Sequence, residues 1–363
     1  MLIRYIIVLA SATIALAVLD CPTTECDCFD FAIQCNNKGL HSIPKFTQSV
    51  NILGDLDLSN NAIAILSDNS VPAGMDSINF NNNPITSISN GAFRNSATTL
   101  SSIHFSNALF TRLPDALATL NALIDLDISQ MRILDWNTNV LRHAGATVNT
   151  LRLMNVGLTS WPSWMTYFTA VSRLDLSENA ITSLPDNAFS QLASQLITVK
   201  LSAANLNHVP RAVTSLPAVL LLDLSQNHIP IITGVPSHAT SLNFSFNLIT
   251  ELRDNSFARN TAFHSLDLSN NPITRISNNA FLPIISMRNL FLRNTKLTRM
   301  PLAILTLTNP SWIALEGNTD LVCTCSEKAL TLYMTSHPYL YVYGMCHQEK
   351  IDTFFKVIAK NCP

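Results

Sequence analysis

Charged side chains are scarce in this sequence, and their signs nearly balance. Only 13% of the 363 residues are charged, against 47% that are hydrophobic, and the formal net charge is −2. A protein that binds nucleic acid carries an excess of Lys and Arg for the phosphates, so this balance argues against a nucleic-acid partner. The proportions suit a continuous apolar core with many polar turns.

Catalytic motifs are also missing. The sequence contains no His-Glu-x-x-His, no Gly-x-Ser-x-Gly and no glycine-rich phosphate loop. The nine histidines are scattered, and basic residues stand between the repeated acids Asp127, Asp175 and Asp223, so these do not form a close pair of carboxylates. We therefore expect that the protein is not an enzyme and that it holds no metal or cofactor.

Only the start of the chain has a long apolar run. In residues 1–19, Arg4 gives a short positive start, an apolar segment runs from Ile6 to Leu16, and Ala15 and Ala17 fit the small-residue cleavage rule. The alternative is a membrane anchor, but the segment is short for a span and cysteines follow it directly. We expect a cleaved signal peptide and a secreted, extracellular protein with no stable membrane anchor in the mature chain.

Cysteine is absent from the whole middle of the chain. The eight cysteines form two groups, Cys21, Cys26, Cys28 and Cys35 near one end, and Cys323, Cys325, Cys346 and Cys362 near the other. Four thiols at such spacings could bind zinc, but in a secreted chain disulfides are much more common. Spacing alone allows three pairings within each group.

The segment between the two cysteine groups is built on one recurring frame. In its clearest copy the frame runs Val171-x-x-Leu174-x-Leu176-x-x-Asn179-x-Ile181. Alternation of leucines with polar residues predicts a short strand with one buried face. The Asn then turns the chain, because its side chain can hydrogen-bond nearby backbone groups.

Twelve copies of this frame follow one another, mostly 22 to 25 residues apart. They start at Leu53, Met75, Leu100, Leu123, Val148, Val171, Leu196, Val219, Ala239, Phe263, Met287 and Pro310, and we number the repeats 1 to 12 in that order. A single unit cannot bury its own apolar face, whereas stacked units can. The sequence therefore predicts a solenoid whose strands form one long parallel sheet.

The frame and its period resemble the leucine-rich-repeat family over nearly the whole chain. The two cysteine groups resemble the cysteine-rich caps of its extracellular members. This resemblance implies an α/β-type horseshoe with about twelve repeats and one parallel strand per repeat on the concave face. It also implies the disulfides Cys21–Cys28, Cys26–Cys35, Cys323–Cys346 and Cys325–Cys362. We assign residues 1–19 to the signal peptide, 20–50 to the N-terminal cap, 51–318 to the repeats and 319–363 to the C-terminal cap.

The turn Asn of the frame is missing from five repeats. Its position is taken by Ala108, Met131, Val156, Ala204 and Thr295. Four of these side chains cannot make the hydrogen bonds of an Asn, and they fall in repeats 3, 4, 5 and 7. We expect the turns of repeats 3 to 7 to be less regular.

One polar position per strand is expected to project from the concave surface. In repeats 4 to 8 it carries alternating charges: Asp127, Arg152, Asp175, Lys200 and Asp223. Neighbouring strands lie about 4.8 Å apart, so these charges can pair along the row. The row is either a charge-compensated soluble face or a polar docking stripe.

The C-terminal half carries larger apolar side chains on the same face or its flanks. They are Leu220, Leu221, Phe246, Phe291 and Trp312. Exposed aromatic side chains on one surface indicate a binding patch. The alternative is that Phe291 and Trp312 tuck under the C-terminal cap.

The sequence favours a secreted recognition module that binds an extracellular protein or glycan ligand through its concave sheet. One alternative is a structural, matrix or adhesion protein that self-associates, and another is a secreted inhibitor of an enzyme. Surface substitutions can retune such a face, so the sequence does not identify the partner or the oligomeric state.

Asn243 is the predicted glycosylation site, because Asn243-Phe244-Ser245 is the one Asn-x-Ser/Thr sequon without an intervening proline. A glycan there would stand on the concave sheet. The alternative is an unused sequon, since a residue in a rapidly formed strand is a poor acceptor. Intact mass of protein from a glycosylating secretory host decides between them: a mass that falls on glycosidase treatment shows the glycan, and an unchanged mass leaves the sheet bare.

Overall fold

The computed structural model describes Cys21 and residues 23–29, 32–46, 54–254, 256–257 and 262–362. The predicted signal peptide, residues 1–19, lies outside the described residues. Its assignment and the boundaries of the two caps stay predictions.

One 15-stranded sheet runs the length of the molecule. Each repeat contributes one strand, and these twelve are Gly54–Asp57, Met75–Asn79, Ser102–His104, Asp125–Asp127, Thr150–Arg152, Arg173–Asp175, Thr198–Lys200, Leu221–Asp223, Ser241–Asn243, Phe263–Asp267, Met287–Phe291 and Trp312–Ala314. The ends of the chain add Asp27–Phe29, Ala32–Gln34 and Tyr341–Tyr343. All neighbours are parallel except the first pair. The predicted solenoid of twelve repeats is confirmed.

The core lies on the face of this sheet that is opposite the concave surface. It consists of apolar side chains that stack in rows from one repeat to the next. Leu174 of repeat 6 is buried and lies in register with Leu151 on one side and Val199 on the other. Side chains alternate between the faces of a strand, so the residues that flank each buried side chain point to the concave surface. The strand register therefore places the polar residues of every repeat in continuous columns.

The outer side of the repeats and the C-terminal cap are made of short elements. The α-helices are Thr138–Ala144, Arg211–Thr214, Ala329–Ser336 and Ile351–Lys356, and the 3-10 helices are Arg94–Ser96, Asp115–Thr119, Ser163–Tyr167, Leu302–Thr306, Cys325–Glu327 and Ile358–Asn361. Two-stranded sheets join Ile65–Leu66 to Ser87–Ile88, Glu251–Leu252 to Arg275–Ile276, and Met345–Cys346 to Glu349–Lys350. A repeat of 20 to 25 residues leaves room only for elements of this length.

The side chain of the frame Asn joins each repeat to the one before it. The Nδ2 group of Asn179 donates to the carbonyl of Leu176 in its own turn, at 2.9 Å, and to that of Leu153 in repeat 5, at 2.8 Å. Its Oδ1 atom accepts the backbone N–H groups of Val156 and Leu158 in repeat 5. With a further bond from Nδ2 to the carbonyl of Ser177 at 3.2 Å, one buried side chain contacts five backbone groups in two repeats.

The expectation of irregular turns in repeats 3 to 7 is wrong. The residue just before the frame Asn position has a left-handed backbone conformation in every repeat, with φ of 63° at Asn107 and 50° at Ala203, close to the 61° of Glu178. The frame Asn of a following repeat, where present, makes the same bonds whether or not this Asn is missing: Asn227 of repeat 8 accepts the N–H groups of Ala204 and Leu206 in repeat 7, and Asn247 of repeat 9 accepts that of Ile229 in repeat 8. The hydrogen bonds that join neighbouring repeats could not be predicted from the sequence of a single repeat.

Cysteine-linked caps cover both ends of the solenoid. The structure joins Cys21 to Cys28, Cys26 to Cys35, Cys323 to Cys346 and Cys325 to Cys362, the pairs that the resemblance implies. The helix Ile351–Lys356 packs against the last strand, Tyr341–Tyr343. The caps therefore shield the apolar rows and the sheet edges that a stack of repeats leaves open.

We predict that Asn179→Ala lowers the melting temperature by at least about 5 °C, because each buried backbone group left without a partner costs about 1–3 kcal/mol. Glu178→Ala is the matched control. Glu178 is exposed in the same turn, and Ala203 already occupies its position in the next repeat, so the shift should stay below about 2 °C. Differential scanning calorimetry measures both. Equal shifts would show that the Asn bonds do not hold the repeats together.

Candidate functional site

Two columns of side chains line the concave face. The first column consists of the residue before the buried centre of each strand: Asp55, Ser77, Ser102, Asp125, Thr150, Arg173, Thr198, Leu221, Ser241, Ser265, Asn289, Trp312 and Tyr341. The second column consists of the residue after it: Asp57, Asn79, His104, Asp127, Arg152, Asp175, Lys200, Asp223, Asn243, Asp267, Phe291, Ala314 and Tyr343. The sequence reasoning identified six of the thirteen second-column residues as binding residues and two of the thirteen first-column residues.

The structure divides the nine predicted binding residues among three places. The second column holds Asp127, Arg152, Asp175, Lys200, Asp223 and Phe291. The first column holds Leu221 and Trp312. Phe246 belongs to neither, because it lies in the turn that follows the strand of repeat 9. The predicted set is therefore not one continuous site.

The expectation that Asp175 is exposed is wrong. Asp175 is only 8% exposed. It lies in the second column between the long side chains of Arg152 and Lys200, and Lys200 Nζ is 3.4 Å from its Oδ2 atom. Its Oδ1 atom accepts the backbone N–H of Ser177 at 3.1 Å. The remaining predicted residues are half-buried, except for the exposed Phe246.

The predicted charge pairing along the second column is only partly present. Lys200 pairs with Asp175 within the column. Arg152 instead turns to the first column, where its Nη1 atom lies 2.6 Å from Asp125 Oδ1. The side chains pair across columns as well as along them, and this compensates charge without a regular ladder.

Second-column acids also have a structural role that the sequence reasoning missed. In six repeats the side-chain oxygen accepts the backbone N–H two residues later, which closes the end of the strand. These residues are Asp57, Asn79, Asp175, Asp223, Asn243 and Asp267. The available signal was the Asp-x-Ser pattern, which recurs in four of the six repeats. An acid in this column is therefore not in itself a sign of binding.

Asn243 illustrates this structural role. Its Oδ1 atom accepts the backbone N–H of Ser245 at 3.0 Å and the Ser245 hydroxyl at 2.8 Å. Asp223 and Asp267 lie in register on its two sides. The predicted glycosylation site thus lies on the concave sheet, in the middle of the second column.

A polar cluster lies across repeats 3 to 5. His104 Nε2 is 3.2 Å from Ser102 Oγ and 3.7 Å from Asp125 Oδ1. A catalytic triad needs the hydroxyl and the carboxylate on different ring nitrogens, whereas here both approach the same one. The arrangement does not match Ser–His–Asp catalysis.

The two aspartates of this cluster differ in protonation behaviour. Burial raises the pKa of Asp127, and the Ser129 hydroxyl that donates to it at 2.5 Å offsets only part of the effect. Burial acts on Asp125 in the same direction, but His104 and Arg152 outweigh it and hold the pKa of Asp125 below its ordinary value. His104 and Arg152 thus act more strongly on the carboxylate of Asp125 than on that of Asp127.

Aromatic side chains cover the C-terminal end of the concave face. The rings of Trp312 and Tyr343 stack with centroids 4.3 Å apart, and Tyr341 lies beside Tyr343. Ala314, the small second-column residue of repeat 12, leaves room for this contact. Trp312 therefore both faces the concave side and packs on the C-terminal cap, so the two sequence interpretations are not exclusive. Phe291 is covered by Arg293, whose guanidinium lies 4.9 Å from the ring centre.

The sequence reasoning missed Tyr341 and Tyr343. Tyr341 is 56% exposed and extends the aromatic surface onto the cap. The alternation of Tyr339, Tyr341 and Tyr343 with buried Leu340 and Val342 was the available signal, because it indicates a half-buried strand.

A cleft of about 610 Å³ opens beside these rings. Its lining includes Glu316, Tyr341, Tyr343, His347, Lys350 and Asp352. The walls come from the turn of repeat 12 and from the cap, so the end of the sheet is a concave pocket with aromatic and charged sides.

Within the described part of the chain, no three His, Cys, Asp or Glu side chains come together in a group able to hold a metal ion. Among the same residues, no helix combines the length and the apolar character needed to span a membrane.

Family models match the repeats directly. Residues 72–144 match the BspA type leucine rich repeat region, and residues 169–229 and 237–297 match the leucine rich repeat. The chain is a leucine-rich-repeat solenoid. No curated protein sequence matches it significantly.

Solved leucine-rich-repeat structures share this fold at 20% identity. A Leptospira interrogans leucine-rich-repeat protein superposes with a TM-score of 0.58, over 79% of this chain and 77% of its own. A chain of the octameric complex of Latrophilin 3, Unc5D and FLRT2 gives 0.56, over 94% and 100%. A chain of the Drosophila Toll–Spatzle complex gives 0.56, over 74% of this solenoid and 38% of its own length.

We predict that Asp127→Asn raises the melting temperature of the solenoid at pH 7 by about 1–2 °C. The raised pKa of Asp127 means that the native state binds its proton more tightly than the unfolded state. Its contribution to stability is therefore lost as the pH rises above about 4, the ordinary Asp value. Asn243 shows that an amide fits this position. The gain should disappear at low pH, where Asp127 is protonated in both states.

The matched control is Asp125→Asn, two residues before Asp127 on the same strand. The lowered pKa of Asp125 contributes stability above about pH 4, so this substitution should lower the melting temperature at pH 7. Thermal scans of both variants from pH 3 to pH 8 make the comparison. Shifts of the same sign at pH 7 would contradict the assignment of His104 and Arg152 as partners of Asp125.

Proposed function

We propose that this leucine-rich-repeat protein is a secreted recognition module that binds an extracellular protein on its concave sheet. The observation that carries the proposal is the aromatic end of that sheet. Trp312, Tyr341 and Tyr343 form a continuous ring surface beside a cleft of about 610 Å³, and Tyr341 is largely open to solvent. Tyr and Trp dominate the energetics of protein interfaces because each buries a large area with few rotatable bonds.

The disulfides support an extracellular location. All eight cysteines are paired, and disulfides persist in oxidising compartments. The predicted signal peptide of residues 1–19 agrees with export.

The shape of the site supports a protein as the partner. The concave face offers a long surface of paired charges that ends in an aromatic pocket, which suits a partner with both a polar stripe and an apolar anchor. Two structurally similar proteins come from complexes, that of Latrophilin 3, Unc5D and FLRT2 and that of Toll with Spatzle. Their partners are their own, and the likeness supports the proposal only in that proteins with this fold occur in complexes with other proteins.

The proposed contact surface runs from repeat 10 to the C-terminal cap. An N-linked glycan on Asn243 would cover the sheet at repeat 9, and the aromatic end would stay free beside it. The paired charges of repeats 4 to 8 lie on the other side of that glycan. There they keep the surface soluble, and Asp175 and Asp223 among them accept backbone N–H groups at the strand ends.

We predict that Tyr341→Ala weakens partner binding at least tenfold and shifts the melting temperature by less than about 2 °C, because the ring is exposed. Leu332→Ala is the control, since Leu332 is an exposed apolar residue of the helix Ala329–Ser336 in the same cap. Affinity capture from extracellular fluid with the wild-type protein supplies the partner, and biolayer interferometry compares the variants.

Two results would contradict the proposal. Unchanged affinity of Tyr341→Ala would remove the aromatic end from the interface. A dimer in size-exclusion chromatography with light scattering that Tyr341→Ala dissociates would favour the self-associating alternative.

A further inference from the structure

One row of residues lines the turn at the end of every strand. It is the position just before the frame Asn, and we call it the turn row: Asn60, Asn82, Asn107, Gln130, Asn155, Glu178, Ala203, Gln226, Phe246, Asn270, Asn294 and Gly317. All twelve have a left-handed backbone, with φ from 49° to 63° for the residues other than glycine. Phe246 is the only large apolar side chain among them.

The repeat architecture imposes this conformation on Phe246. Its N–H donates to the carbonyl of Ser269 in repeat 10 at 3.0 Å. The next residue, Asn247, donates to the carbonyls of Leu224 and Phe244 at 2.9 and 3.1 Å. Hydrogen bonds therefore fix the chain on both sides of the left-handed residue, and Phe246 cannot relax toward the conformations that a bulky L-residue prefers.

Phe is a poor residue for this position. Asn tolerates the left-handed region because its short polar side chain bonds locally, whereas a bulky residue there is an outlier. Asn also bonds along the turn row: Asn82 donates to Asn60 at 2.8 Å, and Asn294 donates to Asn270 at 2.9 Å. A phenyl ring can make neither bond.

Burial does not compensate for these losses. Phe246 is 56% exposed, and Leu248, two residues later, is 50% exposed. The neighbours of Phe246 in the turn row, Gln226 and Asn270, carry no charge. An exposed apolar side chain with an uncharged polar rim has the composition of the centre of a protein interface, where charged residues are depleted.

We propose that Phe246 is an anchor that inserts into an apolar pocket on the protein partner, with Leu248 beside it. The inference rests on the proposed function and extends the contact surface to the turn edge of repeat 9. Phe246 lies three residues after Asn243, so the inference applies to the protein whose Asn243 carries no glycan. Phe246 projects as a knob, and a protein supplies the complementary pocket, whereas a glycan lacks one. A strained backbone at an exposed aromatic residue is characteristic of positions retained for function rather than for stability.

The first test is stability. Phe246→Asn should raise the melting temperature by about 1–4 °C, because it relieves the backbone and allows bonds along the turn row. Ala203→Asn is the matched control, since it makes the same change at another non-Asn position of the row and should also raise the melting temperature. A lower melting temperature for Phe246→Asn would show that the ring supports the fold, and this would overturn the proposal.

The second test is binding. Phe246→Asn should weaken the affinity for the captured partner at least tenfold, and Ala203→Asn should leave it unchanged. The photoreactive residue p-benzoylphenylalanine at position 246 should crosslink to that same partner, and the same residue at position 203 should not. Equal crosslinking from both positions would overturn the proposal, as would unchanged affinity of Phe246→Asn.

Two further outcomes separate the alternatives. Sedimentation of the wild-type protein, but not of Phe246→Asn, with phosphatidylcholine vesicles would replace the protein pocket by a lipid surface. If Tyr341→Ala weakens binding and Phe246→Asn does not, the turn-edge anchor is wrong and the concave recognition site stands. If neither variant weakens binding, the proposed function fails as well.

Discussion

The structure depends on hydrogen bonds that cross from one repeat to the next. The frame Asn donates to backbone carbonyls of its own and the preceding repeat and accepts N–H groups of the preceding one, as Asn179 does in repeats 6 and 5. Buried backbone groups must be paired, and a repeat of about 24 residues cannot pair all of its own. Each repeat is therefore completed by its neighbour, and only a stack is stable.

This constraint fixes the surface as well as the core. Because every strand keeps the same register, each side-chain position becomes a column or row that runs along the molecule. Residues at the same position of different repeats then share one environment. An unusual residue in one repeat can therefore be compared with its counterparts in the neighbouring repeats. Phe246 in the turn row and Ala314 in the second column are recognisable as departures for this reason.

An acidic residue on the concave face can stabilise the fold or bind a partner, and the sequence does not distinguish the two roles. Asp223 closes the end of its strand, and Asp175 does so while it also pairs with Lys200. Such residues keep the face soluble and regular whether or not a partner binds. The aromatic end differs, because Tyr341 neither closes a strand end nor lies in the core, so its exposure has no structural explanation within the chain.

The sequence by itself determined the repeat number, the strand positions and the apolar rows, because periodic alternation depends only on local spacing. It identified the second column through Asp127, Arg152, Asp175, Lys200 and Asp223. It did not determine which charges pair, that Asp175 is covered, or that Trp312 meets Tyr343 of the cap. Those contacts join residues of different repeats or of repeat and cap. The packing of repeats against one another sets the distances in these contacts. A periodic sequence specifies which residues each repeat buries, but not which way the side chains of neighbouring repeats are oriented.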